Sequence, residues 1–455
     1  MAAVTSRGSS PDAAGPVMPR DWVIDVHRVA AMFIVVLLHW LYLRLTVVDG
    51  SLVIEQALHG PVVWGLSWVL QVLPVFFLAG GFANTVVLDR TRAAGQEYGV
   101  FLGLRARRLL TPLVPLIGVA LVLAAVAPAI NISATGDIGE VFGNPLWFLA
   151  VYLLCVTCAG VAVSAHDRLG WWLLPTLLLG GSLLVDALRF GEVIPLGAAR
   201  WSNLALVWLF CHQLGVLHAR GVLSRRPPWA AIVVIVLGVA ALVVMVVPGP
   251  YFPTSVGMAD ASVSNLMPPT SAMSVLAVVQ LGLVTLVGAA LRGWQPGSGA
   301  RRRIRRLNAM LIVIYLWHVP AMAVATVLGL LAPQLLLPAD EQTWWLLRPL
   351  WFLLAGAVLW IFVRSAMAWE SYWHQFLARD VSGPVLLGAA LGTVGTTTLW
   401  RVGIGWTPAA LAASALVLLA VTLLTTAQRR TGPGRAARSV AGDPDVAVGT
   451  ESASA

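Results

Sequence analysis

The stretch DVHRVAAMFIVVLLHW, residues 25–40, sets Asp25, His27 and Arg28 ahead of a mostly aliphatic run and places His39 near its end. An ionisable side chain at the centre of a bilayer costs about 2.5–3.5 kcal/mol on insertion scales, which makes such residues candidates for function. Arg28 and His39 are eleven residues apart. At about 100° per residue that is close to three turns, so both lie on one helix face, about 16 Å apart along the axis. Asp25 falls within about a turn of that face and is placed to pair with Arg28 at i, i+3. The pattern puts a fixed cation at one mouth of a cavity and a titratable base partway across. It equally suits a snorkelling arginine and a histidine hydrogen-bonded to a neighbouring helix.

Other residues extend the set. LRARRLLTP brings Arg105 and Arg108 to i, i+3 at the expected start of a later span. Arginines there can hold phosphate bidentately or serve as ordinary anchors. RRRIRR, Arg301 to Arg306, reads as topogenic. His318 stands inside VIYLWHVPAM, one turn after Tyr315 and two residues before Pro320, a candidate helix break. It can orient a second substrate, act as a second base or bond across helices. The remaining histidines, His27, His59, His166, His212, His218 and His374, fall near helix ends or in loops and read as interfacial. In FFLAGGF, Gly80 and Gly81 allow close backbone approach. Trp147 and Tyr152 of NPLWFLAVY suit an aromatic belt. Cys155, Cys158 and Cys211 lie in apolar runs and read as packing residues. No metal site is expected, because Cys155 and Cys158 lack the further ligands that a structural zinc needs.

These residues need elements to carry them. Hydrophobic residues are 59% of the 455 and charged residues 11%, with a mean hydropathy of +0.85. Soluble domains carry roughly a quarter charged residues, so the chain is solvated by lipid. Runs of roughly twenty apolar residues, enough to cross about 30 Å of hydrocarbon, recur at 22–45, 62–88, 107–128, 145–164, 171–188, 201–219, 229–247, 271–291, 308–331, 343–366, 383–400 and 406–427. The expectation is an all-α, polytopic transmembrane bundle of about 12 spans. Lys and Arg cluster in RTRAAGQEYGVFLGLRARR, HARGVLSRRPPW, RGWQPGSGARRRIRR and QRRTGPGRAAR. All four fall on one side if both termini are cytoplasmic. The +9 charge is therefore assigned to orientation and lipid headgroups, with no nucleic-acid partner. Residues 1–20, without an apolar signal region, and 428–455 read as disordered cytoplasmic tails.

The combination resembles membrane acyltransferase family 3. DVHRVAAMFIVVLLH resembles the family's first-helix pattern of a cation followed after ten residues by His. VFFLAGGF, the R-x-x-R of Arg105 and Arg108, LWFL and YLWHVP follow in the family's order. Val29 stands where the family has Gly, and Gly80 where it has Ser. The resemblance covers about residues 20–370, a ten-helix core, and leaves 371–427 as two additional helices. It implies transfer of an acyl group, typically acetyl, from an acyl-CoA donor to a hydroxyl of a carbohydrate or other cell-envelope acceptor. On that reading His39 is the general base, Arg28, Arg105 and Arg108 hold the donor phosphates, and His318 is a second catalytic candidate. Asp25, Tyr315 and Trp147 support them, in a plasma-membrane protein. The rival reading is a 12-helix secondary transporter, whose substrate sites lie near the midplane. It lacks similarity between halves and acidic residues well inside the spans.

Overall fold

A computed structural model describes residues 21–48, 51–126, 135–261, 263–374 and 384–425. The expected tails 1–20 and 428–455 lie outside the described residues. The Asp21 carboxylate accepts from the backbone N–H of Val23 at 2.9 Å and of Ile24 at 3.1 Å, capping α1 (Trp22–Tyr42). An antiparallel hairpin follows, β1 (Leu43–Val48) and β2 (Ser51–Gln56). Next come α2 (Pro61–Val69), α3 (Leu73–Ala93), α4 (Tyr98–Leu110), α5 (Leu113–Val126), α6 (Thr135–Gly143) and α7 (Leu146–Leu169). The chain continues through α8 (Leu173–Phe190), α9 (Leu196–Ala219), α10 (Pro228–Val246) and α11 (Ser271–Ala290). It closes with α12 (Ser298–Gly329), the short α13 (Pro333–Leu336), α14 (Glu341–His374), α15 (Val385–Val402) and α16 (Pro408–Thr425).

The fold is a polytopic all-α bundle. Eleven helical segments among the described residues are long and apolar enough to cross a membrane. The twelfth expected span, α9, is as long, at 24 residues, but carries Asn203, His212 and Gln213. It affords them because it runs through the bundle, packed by α3, α7, α8 and α11 rather than by lipid. Several expected boundaries are corrected. Span one ends at Tyr42, and β-branched residues of the next stretch pair as the hairpin instead. Span two is broken between α2 and α3, with Pro74 in the first turn of α3. Span three begins at Tyr98, so Arg105 and Arg108 lie inside α4 and not at a helix start. Pro320 does not break α12, which runs through it for 32 residues.

Glycine fixes the central crossing. A Cβ on Gly81 would overlap the His212 carbonyl oxygen, and one on Gly215 would overlap the Leu78 carbonyl. Two backbones thus touch without side chains between them, as small residues allow in membranes. Beside the crossing, Phe77 stacks on Trp208 with centroids 4.7 Å apart. At one end Arg220 clasps two helices, with Nη1 2.5 Å from Asp89 of α3 and Nε 2.9 Å from Asp167 of α7. Its bonds to Asp89 first, against partial burial, push the Arg220 pKa further up, so the clasp is permanently charged. At the other end Asp186 of α8, fully buried, accepts from Asn203 Nδ2 at 2.7 Å, Tyr251 Oη at 3.1 Å, and Ser271 N and Oγ each at 2.7 Å. It ties the loop before α11 and the start of that helix to α8. The C-terminal pair α15 and α16 packs on α4 and α7. Ile404 N donates to the Gly139 carbonyl at 3.1 Å, and Gly392 leaves room for Leu110 of α4.

Gly81→Ala forces its Cβ into a backbone carbonyl that cannot swing away. We expect a loss of about 1–3 kcal/mol, read as a lower thermal unfolding midpoint in detergent. Gly118→Ala, whose Cβ meets nothing within 4 Å, is expected to leave the midpoint unchanged or raised.

Candidate active site

On α1 the exposed Val26 and Phe33 mark the lipid side, while Ala31, Met32, Val35, Val36 and Trp40 are buried. Arg28, Met32, Val35 and His39 follow the i, i+4, i+7, i+11 spacing of one face, so His39 points into the bundle. The expected sharing of a face by Arg28 and His39 is therefore what the helix forms. His39 is accessible to a water-sized molecule, unlike the buried side chains beside it on this face, so part of its ring borders space that the protein does not fill.

Its Nδ1 lies 2.7 Å from the Val35 carbonyl oxygen. A carbonyl only accepts, so Nδ1 carries the proton and Nε2 keeps its lone pair. Against this ring stands His318 of α12, with centroids 4.8 Å apart and planes at 82°. His318 Nδ1 donates to the Tyr315 carbonyl at 2.5 Å. Its Nε2 is buried without a partner among the described residues. Two imidazoles thus present bare Nε2 atoms, an arrangement that can take up a proton from a bound hydroxyl.

Aromatic side chains line the way towards the arginines. Tyr315 lies 5.5 Å from His318 and 4.9 Å from Phe148, centroid to centroid. Phe148 stacks on Tyr152 at 5.9 Å. Trp147 stands edge-on to Phe148 at 6.1 Å and close to Trp208 at 6.0 Å. Tyr315 Oη donates to the Pro145 carbonyl at 2.8 Å, tying α12 to the start of α7. Arg105 Nη2 donates to the Ala83 carbonyl at 3.0 Å, and its Nε is buried without a partner among the described residues. Arg28, Arg108 and the Tyr152 phenol all lie within electrostatic reach of Arg105. Three cations on two helices therefore share one neighbourhood, which suits a polyanion.

The expected pairing of Asp25 with Arg28 is not formed. Arg28 has no carboxylate within ion-pair distance among the described residues. Asn308 of α12 instead donates to the Asp25 backbone oxygen at 3.1 Å. His212 is not interfacial, being 1% exposed, with Nε2 3.1 Å from Asn84 Nδ2. Its helix lies at the centre of the bundle, which removes the wet surroundings that its place in the sequence implied. Tyr152 was legible only as part of an aromatic belt with Trp147, and Phe148 only within the LWFL string. Arg348, 3% exposed beside Trp40, was not singled out in the sequence, because the carbonyls that it reaches are about 300 residues away.

A family model for an acyltransferase domain, that of acyltransferase family 3, matches residues 21–364. No curated protein and no solved structure matches the chain. Every side chain of the histidine pair, the aromatic wall and the arginine group lies inside the matched range. Helices α15 and α16 lie beyond it, and the expected boundary at 370 falls in the last turn of α14.

A Cβ on Gly80 would sit 2.6 Å from Tyr152 Cε2 and 2.8 Å from its Oη. Gly80→Val must push the ring off α3. We expect Gly80→Val to destabilise the protein, and Tyr152→Ala to relieve that cost, so the two changes are less than additive in thermal unfolding. Strict additivity would show that the ring does not rest there.

Proposed function

The chain belongs to the acyltransferase family whose domain covers residues 21–364, and from that premise we propose that it moves an acyl group, acetyl foremost, from an acyl-CoA donor to a hydroxyl of a carbohydrate or other cell-envelope acceptor. That it is a membrane acyltransferase follows from the family and the spans. The donor, the acceptor and the residue roles are the proposal. The observation that carries it is the His39–His318 pair, in which His39 Nδ1 lies 2.7 Å from the Val35 carbonyl and Nε2 is left without a protein partner among the described residues, on the face shared with Arg28.

In this reading the donor enters from the cytoplasmic side, and its phosphates settle among Arg28, Arg105 and Arg108. The rise from Arg28 to His39, about 16 Å, is one that an extended pantetheine arm spans. The acceptor hydroxyl gives its proton to His39 Nε2 as its oxygen forms a bond to the thioester carbonyl carbon. Collapse of the tetrahedral oxyanion breaks the carbon–sulfur bond. The imidazolium returns the proton to the departing thiolate, which leaves as free coenzyme A. Direct attack is favoured over an acyl-enzyme, since no serine or cysteine neighbours His39 in α1 and Cys155 and Cys211 are fully buried. His318 Nε2, buried and bare, is suited to orient the acceptor or share the proton. The basic loops orient the protein in the plasma membrane with both termini cytoplasmic. The transporter reading gains no support from the buried carboxylate of Asp186, which is held by four hydrogen bonds.

The test is transfer and hydrolysis from radiolabelled acetyl-CoA by purified protein. His39→Ala is expected to bind the donor normally and to lose turnover by at least about 100-fold. Arg105→Gln is expected to weaken donor binding by about 10-fold or more, the value of a charged hydrogen bond. Unimpaired turnover by His39→Ala removes it as the base, and failure of the native chain to bind acetyl-CoA removes the donor.

A further inference from the structure

Two turns into α14, Arg348 is a buried cation, 3% exposed, with no carboxylate in ion-pair range among the described residues. Burying such a charge is costly unless its surroundings compensate. Two indoles do so in part, the guanidinium carbon lying 4.3 Å from the Trp344 ring centroid and 3.8 Å from that of Trp351. Further compensation comes from α1 through Nη2 alone, Nε and Nη1 being buried without a partner among the described residues. Arg348 Nη2 donates to the Trp40 carbonyl and, at 3.3 Å, to the Leu43 carbonyl. These oxygens lie at the C-terminal end of α1, where carbonyls lack helical partners and the macrodipole is negative. One cation thus caps the turn that carries His39.

The same turn is held from a second side. The indole Nε1 of Trp40 donates to the His318 carbonyl at 3.1 Å. Its ring stands edge-on to Trp351 at 6.0 Å. Arg348 therefore grips Trp40 by its carbonyl, and Trp40 grips α12 at the residue whose imidazole meets His39. A small rotation of the last turn of α1 would part the two rings. A planar guanidinium that lies over two indole rings while its Nη2 reaches two carbonyls is not matched by the compact ammonium of Lys.

We propose that Arg348 is a positioning residue for acyl transfer, fixing the last turn of α1 through Trp40 so that His39 faces His318 in reactive register. The inference rests on His39 being the base, and its test separates the two. Full-length Arg348→Lys, Arg348→Gln, Trp40→Phe and His39→Ala are compared for thermal midpoint, acetyl-CoA binding and turnover per bound donor. Arg348→Lys and Arg348→Gln are expected to bind the donor normally and lose about 10- to 100-fold in turnover per bound donor. Trp40→Phe, which keeps the ring and removes the indole donor, is expected to lose turnover in the same direction. Combined with Arg348→Gln it adds less than the product of the two losses. Unchanged turnover per bound donor in Arg348→Gln, with only a lower midpoint, overturns the proposal in favour of a purely structural role. If the Arg348 variants do not fold, unchanged turnover in Trp40→Phe overturns it alone. Full activity in His39→Ala overturns the base assignment first, and the positioning role with it.

Discussion

Polar groups in hydrocarbon must be satisfied by the protein itself, because lipid offers no hydrogen bonds. The structure answers that constraint at several of the ionisable side chains that it draws inside. Asp186 collects four donors, Arg348 is sandwiched by indoles and carbonyls, and His212 meets Asn84. The bare Nε2 of His318 and the accessible ring of His39 belong to imidazoles that face each other, with centroids 4.8 Å apart. In the proposed reading their partner is the acceptor hydroxyl.

Close backbone packing makes the space around those rings durable. The Gly81 and Gly215 crossing locks α3 to α9 without intervening side chains. That contact sets Phe77 on Trp208 and carries Gly80 under Tyr152. The aromatic wall between the arginines and the histidines is therefore held by rigid helices rather than by loops. Helices α15 and α16, though outside the matched family domain, back the same wall through α4 and α7.

Features set by local spacing were legible in the sequence. The helical character of the chain follows from its apolar runs, and the shared face of Arg28 and His39 follows from helical periodicity alone. What was not legible depends on partners far along the chain. Arg348 reads as one more residue near a helix start until α14 packs on α1. His212 reads as interfacial until α9 is found at the centre. Asp25 looks paired with Arg28 at i, i+3, yet the tertiary packing of α12 brings Asn308 to its backbone and leaves that local pair unformed. The breaks in spans two and three came at Pro74 and near Pro112, where the hydropathy stayed high although the backbone pattern changed.

The central claim is that one internal space joins the arginine group to His39. The most direct measurement places a thiol there, as His39→Cys in a chain whose three native cysteines are alanine, and follows its alkylation by a small maleimide. The account predicts ready labelling that acetyl-CoA slows, because the donor arm fills the same space. A thiol that does not label, or labels at a rate indifferent to acetyl-CoA, would contradict it.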